Sequence, residues 1–357
     1  MVVRRFAAGL MMGLAVVGAA LAADDAKPTK SDKPEAAAPA EKEAEKKQAT
    51  KQSAVEKKAA DTKAGPQFLR VIRNDKDVPT SLETAVVRYT ATEGKYAGVT
   101  VDLIGAVHVG DKAYYKKLNK RFADYEALLY ELVAKKGTKI PKGGRGGSGH
   151  PVGMMQQGMT EVLGLAYQLE EVDYTPKNFV HADMSPKEFD DKMKERGESW
   201  MGMMFKMMGQ GIAMQAESAK SGESPEVEML MAMFDSERDL KLKRALAKQM
   251  ENMETMMAGF DGEDGSTIIT ERNKAAFKVL ADELADGKKK IGVFYGAGHL
   301  ADMDERLIKE FGLKRDTTEW LVAWDMTGAT KKPAKKPAKD KAKPEEKTEQ
   351  KPTKKAS

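Results

Sequence analysis

An apolar, β-branched run that ends in Gly-x-x-His and passes into a helical pattern occurs twice in this chain. The first copy is Leu103-Ile104-Gly105-Ala106-Val107-His108, followed over residues 111–124 by an amphipathic stretch with Tyr114, Leu118 and Phe122 four apart. The second is Val293-Phe294-Tyr295-Gly296-Ala297-Gly298-His299, followed by a helical pattern over 300–311. A buried strand leading into a helix is the unit of an α/β fold. It brings each imidazole out at the carboxyl end of its strand, where open α/β sheets place ligands. Glycine permits a tight turn and close backbone approach there. Histidine supplies either a metal ligand or a proton-transfer group near neutral pH.

Between and around these copies, residues 86–90 and 99–106 read as a hairpin about Thr92-Glu93-Gly94-Lys95, and 127–132 as a short buried strand. Ser185-Pro186-Lys187-Glu188 starts a helix, since serine caps, proline suits the first turn and glutamate closes a capping box. Further helices are expected over 198–215, 225–234, 237–257 and 270–284, and strands over 291–295 and 320–324. The predicted fold class is α/β, with two α/β portions, a mixed sheet and a Met-rich helical insertion over about 153–260 between them. Eighteen of the 23 Met fall between Met154 and Met257, a residue type that fills irregular cores and adaptable surfaces.

This domain is expected to span 65–327. Residues 1–22 carry Arg4 and Arg5, a short apolar run and an Ala20-x-Ala22 pattern, which predicts a secretory signal cleaved after Ala22 and a periplasmic or extracellular product. Residues 23–64 and 328–357 are almost all Ala, Lys, Glu, Pro, Thr and Ser, too poor in apolar side chains to offset their ordering entropy, and are expected to be disordered. The chain's formal charge of +5 is concentrated in the Lys-rich 328–357 tail. That tail is a spacer or a tether to an anionic envelope polymer. The 65–327 core is left acidic, which argues against nucleic acid as a partner. With no Cys, disulfides, thiolate metal sites and cysteine nucleophiles are excluded. The formal G-x-G-x-x-G at 144–149 follows Pro141-Lys142 instead of a strand, so it does not read as a dinucleotide site.

Other polar residues stand where chemistry is plausible. Glu131 ends the apolar run Leu128-Leu129-Tyr130, where a charge is costly without a partner. Arg272 and Asn273 begin a helix, and Arg can hold a carboxylate or a transition-state anion. His181 precedes the Ser185 capping box and reads either as lining the site or as a turn residue. Two imidazoles and a carboxylate can hold a divalent ion that activates water. Without a metal, one His can act as general base oriented by Glu131.

Leu103-Ile104-Gly105-Ala106-Val107-His108-Val109, a Tyr at 114 or 115, the Leu-Leu-Tyr-Glu131 strand, Glu271-Arg272-Asn273 and Val293 to Leu300 together resemble the TraB/GumN family, the pheromone-shutdown and TIKI group. The resemblance covers about residues 68–326. It implies two related halves around one site and a metal-dependent hydrolase that cleaves peptide bonds. The implied metal ligands are His108, Glu131 and His299, with manganese or cobalt favoured and zinc as a further ion. Arg272 is implied in the site, and Tyr114, Asn273, Tyr295 and His181 are the expected substrate contacts. Ala106, where the family more often has Thr, and Tyr295, where it has a small aliphatic residue, depart from the pattern. The expected partner is a peptide or protein substrate, and homo-oligomerisation is left open. The alternative is an envelope binding protein that sequesters a peptide, haem or metal in the same cleft without turnover.

Overall fold

The computed structural model describes residues 67–144, 163–199, 225–251 and 265–328, with a few positions between 201 and 209. The expected signal 1–22, the linker 23–64, His150 with its Gly-rich loop, most of the helix expected over 198–215 and the Lys-rich tail lie outside the described residues.

The strands in chain order are β1 (Leu69–Arg73), β2 (Pro79–Thr90), β3 (Thr100–Ala106), β4 (Val109–Gly110), β5 (Ala127–Tyr130), β6 (Ala166–Tyr167), β7 (Phe179–His181), β8 (Lys290–Gly296) and β9 (Lys314–Asp325). The helices are α1 (Lys112–Phe122), α2 (Gln168–Glu171), α3 (Pro186–Glu195), α4 (Pro225–Met233), α5 (Arg238–Glu251), α6 (Arg272–Ala285) and α7 (Leu300–Lys309). Seven strands form one mixed sheet, and β4 pairs with β6 beside it. The long β2 organises the antiparallel half. β1 covers its first residues and β3 its last along one edge, while β9 lies antiparallel along the other. From β3 the sheet continues through β8, β5 and β7, every neighbour parallel.

These parallel strands are apolar on both faces because both are covered. Ile104, Leu128, Tyr130 and Phe294 pack with Leu118 and Phe122 of α1 and with Leu242 and Leu246 of α5. Leu103, Leu129, Val293 and Tyr295 face Phe277 and Leu280 of α6 and Leu300, Met303 and Leu307 of α7. Trp324 of β9 is fully buried and its indole N–H donates to Val109 O at 2.6 Å, pinning the last strand beside β4. Truncating such a side chain costs about 3–5 kcal/mol.

The hairpin, the 127–130 strand and the Ser185 capping box appear as the sequence predicts. β9 is much longer than the expected 320–324 strand. Its first half, Lys314 to Glu319, is polar and exposed, so backbone pairing with β2 and not apolar patterning makes it a strand. β1 and β7 were not expected; β7 has only three residues, too few to show a period. The helix expected from 270 is preceded by a π-helical turn over Thr267–Glu271, capped by Ser266 Oγ accepting from Ile269 N at 3.1 Å. Among the described residues no helix is long and apolar enough to cross a membrane.

Candidate functional site

The four parallel strands share one carboxyl edge. His108 lies just past β3, Glu131 follows β5 directly, Asp183 lies just past β7 and His299 just past β8. Arg272, first residue of α6, projects among them and is almost wholly buried, with a side-chain exposure of 3%.

Its guanidinium is held on two sides. Nε donates to Asp183 Oδ1 at 3.0 Å and Nη2 to Asp183 Oδ2 at 2.6 Å, a planar fork on a fully buried carboxylate. Nη2 also donates to Glu131 Oε1 at 2.6 Å. Glu131 Oε2 accepts Gly296 N at 2.7 Å, so both oxygens are engaged. Burial opposes the Glu131 charge, but Arg272, His299, His108 and the Gly296 N–H together hold it well below the ordinary carboxylate range. Burial likewise works against Arg272, and Asp183 and Glu131 overcome it, leaving the guanidinium more firmly protonated than usual.

His299 is the neutral member. Asn273 Nδ2 gives its hydrogens to His299 O at 3.0 Å and Asp302 Oδ2 at 2.7 Å. Asn273 Oδ1 is therefore the acceptor in its 2.8 Å contact with the ring, and Nδ1 carries the proton. Nε2 then presents a lone pair, 3.4 Å from Arg272 Nη1. Burial pushes His299 down to about 4, with Arg272 adding to that and Glu131, Asp183 and Asp302 opposing it. One hydrogen of Arg272 Nη1 has no partner among the described residues.

His108 differs. It is half-buried, and its ring makes no hydrogen bond among the described residues. Its turn is braced from beneath: Tyr114 OH donates to Gly105 O and Tyr115 OH to Val107 O, each at 2.9 Å.

Three of the four expected substrate contacts, Tyr114, Asn273 and Tyr295, are fully buried. Tyr114 lies under the His108 turn, and Asn273 lies behind His299. The Tyr295 hydroxyl is committed to Ala182 O, with its ring edge-on to His299. His181 Nε2 meets Leu132 O at 2.6 Å. The polar tips of Tyr114, Asn273 and Tyr295 are taken by the chain, so these three orient the edge, while His181 is partly exposed and bonded through Nε2 alone. Asp183 escaped the sequence reading because His181-Ala182-Asp183-Met184 carries no motif; a short polar residue between an apolar trio and a capping box was its only trace.

A divalent ion on His108, Glu131 and His299 requires their lone pairs to converge on one point. Here Glu131 receives Arg272 Nη2 and Gly296 N, and His299 Nε2 faces Arg272 Nη1. Among the described residues no group of three or more His, Asp or Glu is arranged to hold a metal. The guanidinium engages two of the three expected ligands, Glu131 and His299, and the residues as arranged do not fit the expected manganese, cobalt or zinc. Compared with known proteins, the chain matches no family model, no curated protein and no solved structure.

Proposed function

We propose that this chain is an exported TraB/GumN-like hydrolase that cleaves acyl bonds, peptide bonds foremost, by acid–base chemistry at the carboxyl edge of β3, β8, β5 and β7. The observation that supports it most is a buried, doubly clamped guanidinium beside a neutral imidazole, with one Nη1 hydrogen unpaired among the described residues. A donor fixed in a dry site stabilises charge that develops on a carbonyl oxygen. In this reading Arg272 Nη1 binds that oxygen, and Glu131 and Asp183 hold the guanidinium still. His108, whose ring is uncommitted, takes a proton from the attacking water and returns it to the leaving group. His299 stays neutral, and its Nε2 lone pair faces the other Nη1 hydrogen and helps to hold the guanidinium. The same reading keeps the two strand–Gly-x-x-His–helix units as related halves, the Met-rich stretch as an insertion between them, and the Lys-rich tail as a tether to anionic envelope polymer.

The test uses the chain from residue 23 onward, assayed on fluorescein-labelled casein and on butyryl p-nitroanilide. His108→Asn should lower kcat by about 100-fold or more while changing unfolding free energy by no more than about 0.5 kcal/mol. Activity that survives chelation supports the assignment. Activity that requires added manganese, cobalt or zinc overturns it in favour of metal ligation. Peptide retention without turnover leaves a binding protein.

A further inference from the structure

Gln168 has no role in the site described so far. It opens α2 directly after β6, and its backbone N–H donates to His108 O at 2.8 Å, so it is the cross-strand neighbour of His108. Its side chain is 5% exposed. Nε2 donates to Tyr174 OH at 2.9 Å, which fixes the amide plane. Tyr174 packs against Tyr130, the residue before Glu131, with ring centroids 5.2 Å apart. The Gln168 amide therefore lies between the His108 turn and the end of the Glu131 strand. Its oxygen, Oε1, is buried without any hydrogen-bond partner, one of only two such side-chain atoms among the described residues; the other is Thr267 Oγ1, in the π-helical turn before α6.

A buried acceptor left unpaired is costly, and native chains leave few of them without a function. Gln168 is bonded through its backbone to His108, whose imidazole is also unbonded among the described residues. We propose that Gln168 Oε1 is a substrate-binding acceptor that takes the N–H of an amide bound at His108, so that the edge selects amides over esters. The proposal rests on the acyl-hydrolase reading for the chemistry of its ligand. An ester carries oxygen where the amide carries N–H and leaves Oε1 unpaired. A site built to bond a donor discriminates against the analogue that lacks it.

N-methylacetamide and methyl acetate differ in that one group and serve as binding probes, followed at the His108 ring resonance of the histidine-labelled chain. Butyryl p-nitroanilide and p-nitrophenyl butyrate are the matching turnover pair. In Gln168→Leu, affinity for N-methylacetamide and kcat/KM for the anilide should each fall by at least about tenfold. The ester probes should change by less than about twofold by the same argument. Tyr174→Phe keeps the acceptor but frees its other end, and should lose part of the amide preference. Equal changes for amide and ester, no change for either, or no binding of N-methylacetamide to the wild type would overturn the proposal and assign Oε1 to a buried water or to packing. Amide binding that Gln168→Leu weakens, in a wild type that turns over neither chromogenic probe, upholds the subsite and removes the hydrolase reading alone.

Discussion

The two Gly-x-x-His turns look alike in sequence and are unlike in space. β3 and β8 pair with Gly105 opposite Tyr295 and Ala106 opposite Gly296, so the motifs are one residue out of register. A one-residue slip moves a side chain to the other face of a sheet. A Cβ on Gly105 would therefore meet the core: Ala85 O, Phe68 O and Leu300. A Cβ on Gly296 would meet the site: Glu131 Oε2 and His299. The histidines diverge in the same way. His299 is buried, with Asn273 setting its tautomer and Arg272 facing its lone pair. His108 is half-buried on a turn whose carbonyls, not its ring, are bonded. One turn is fixed by bonds to its imidazole, and the other leaves its imidazole unbonded among the described residues.

The largest expected effect comes from breaking the fixed turn's contact with Arg272. Arg272→Met removes the cation between two buried carboxylates, Asp183 and Glu131, with side-chain exposures of 0% and 8%. Leaving buried charges uncompensated costs about 3–5 kcal/mol, to be read from urea unfolding at pH 7.5. Arg272→Lys keeps the charge but not the fork and should recover only part of the loss. A loss under about 1 kcal/mol in Arg272→Met would show that the carboxylates are solvated.

A smaller effect is set by pH. His299 is held down at about 4 in the folded chain against an ordinary value of 6.5. Below 6.5 the unfolded chain binds a proton that the folded chain refuses, so this group's contribution is intact above pH 6.5 and is lost as pH falls toward 4. The difference amounts to about 3 kcal/mol. Glu131, held below its ordinary value of 4.5, keeps its own stabilisation above that pH and loses it progressively as pH falls below it. Urea midpoints at pH 7.5, 5.5 and 4.5 should fall in the wild type and fall much less in His299→Asn. Parallel slopes in the two proteins would place the titration elsewhere.

What the sequence disclosed follows from the same asymmetry. The strand–helix pattern places His108, Glu131 and His299 at strand ends, because an apolar run and its terminating polar residue are local signals. The sheet order β3-β8-β5-β7, which puts those ends side by side, is a long-range fact that no window of sequence contains. Asp183 follows a three-residue strand, and Gln168 opens a four-residue helix, both too short to have a period. Arg272 and Asn273 were legible as a helix start, but their roles depend on partners 26 to 141 residues away. The expected metal set was chemically sound in its residue types. It could not anticipate that a guanidinium from α6 would bond Glu131 and face the lone pair of His299.

The glycines give the finest test of the comparison. Gly296→Ala needs no forbidden backbone, since Gly296 has φ −51° and ψ 136°. Its Cβ would stand 3.3 Å from Glu131 Oε2, the end of a side chain that can shift by a few tenths of an ångström. That shift stretches the 2.7 Å bond from Gly296 N and should cost about 1 kcal/mol, with a loss of turnover as Glu131 and Arg272 move together. Gly105→Ala presses instead on Ala85 O at 3.2 Å, a backbone atom of β2 that has little room to give. Overpacking of that kind costs about 1–3 kcal/mol, and it should leave kcat near wild type at temperatures where the chain stays folded. The two substitutions, identical in chemistry and in motif position, are thus expected to separate: one costs stability and spares turnover, the other costs turnover more than stability. If both act alike, the register offset between β3 and β8 does not divide the labour of the two turns, and their likeness in sequence is the better guide.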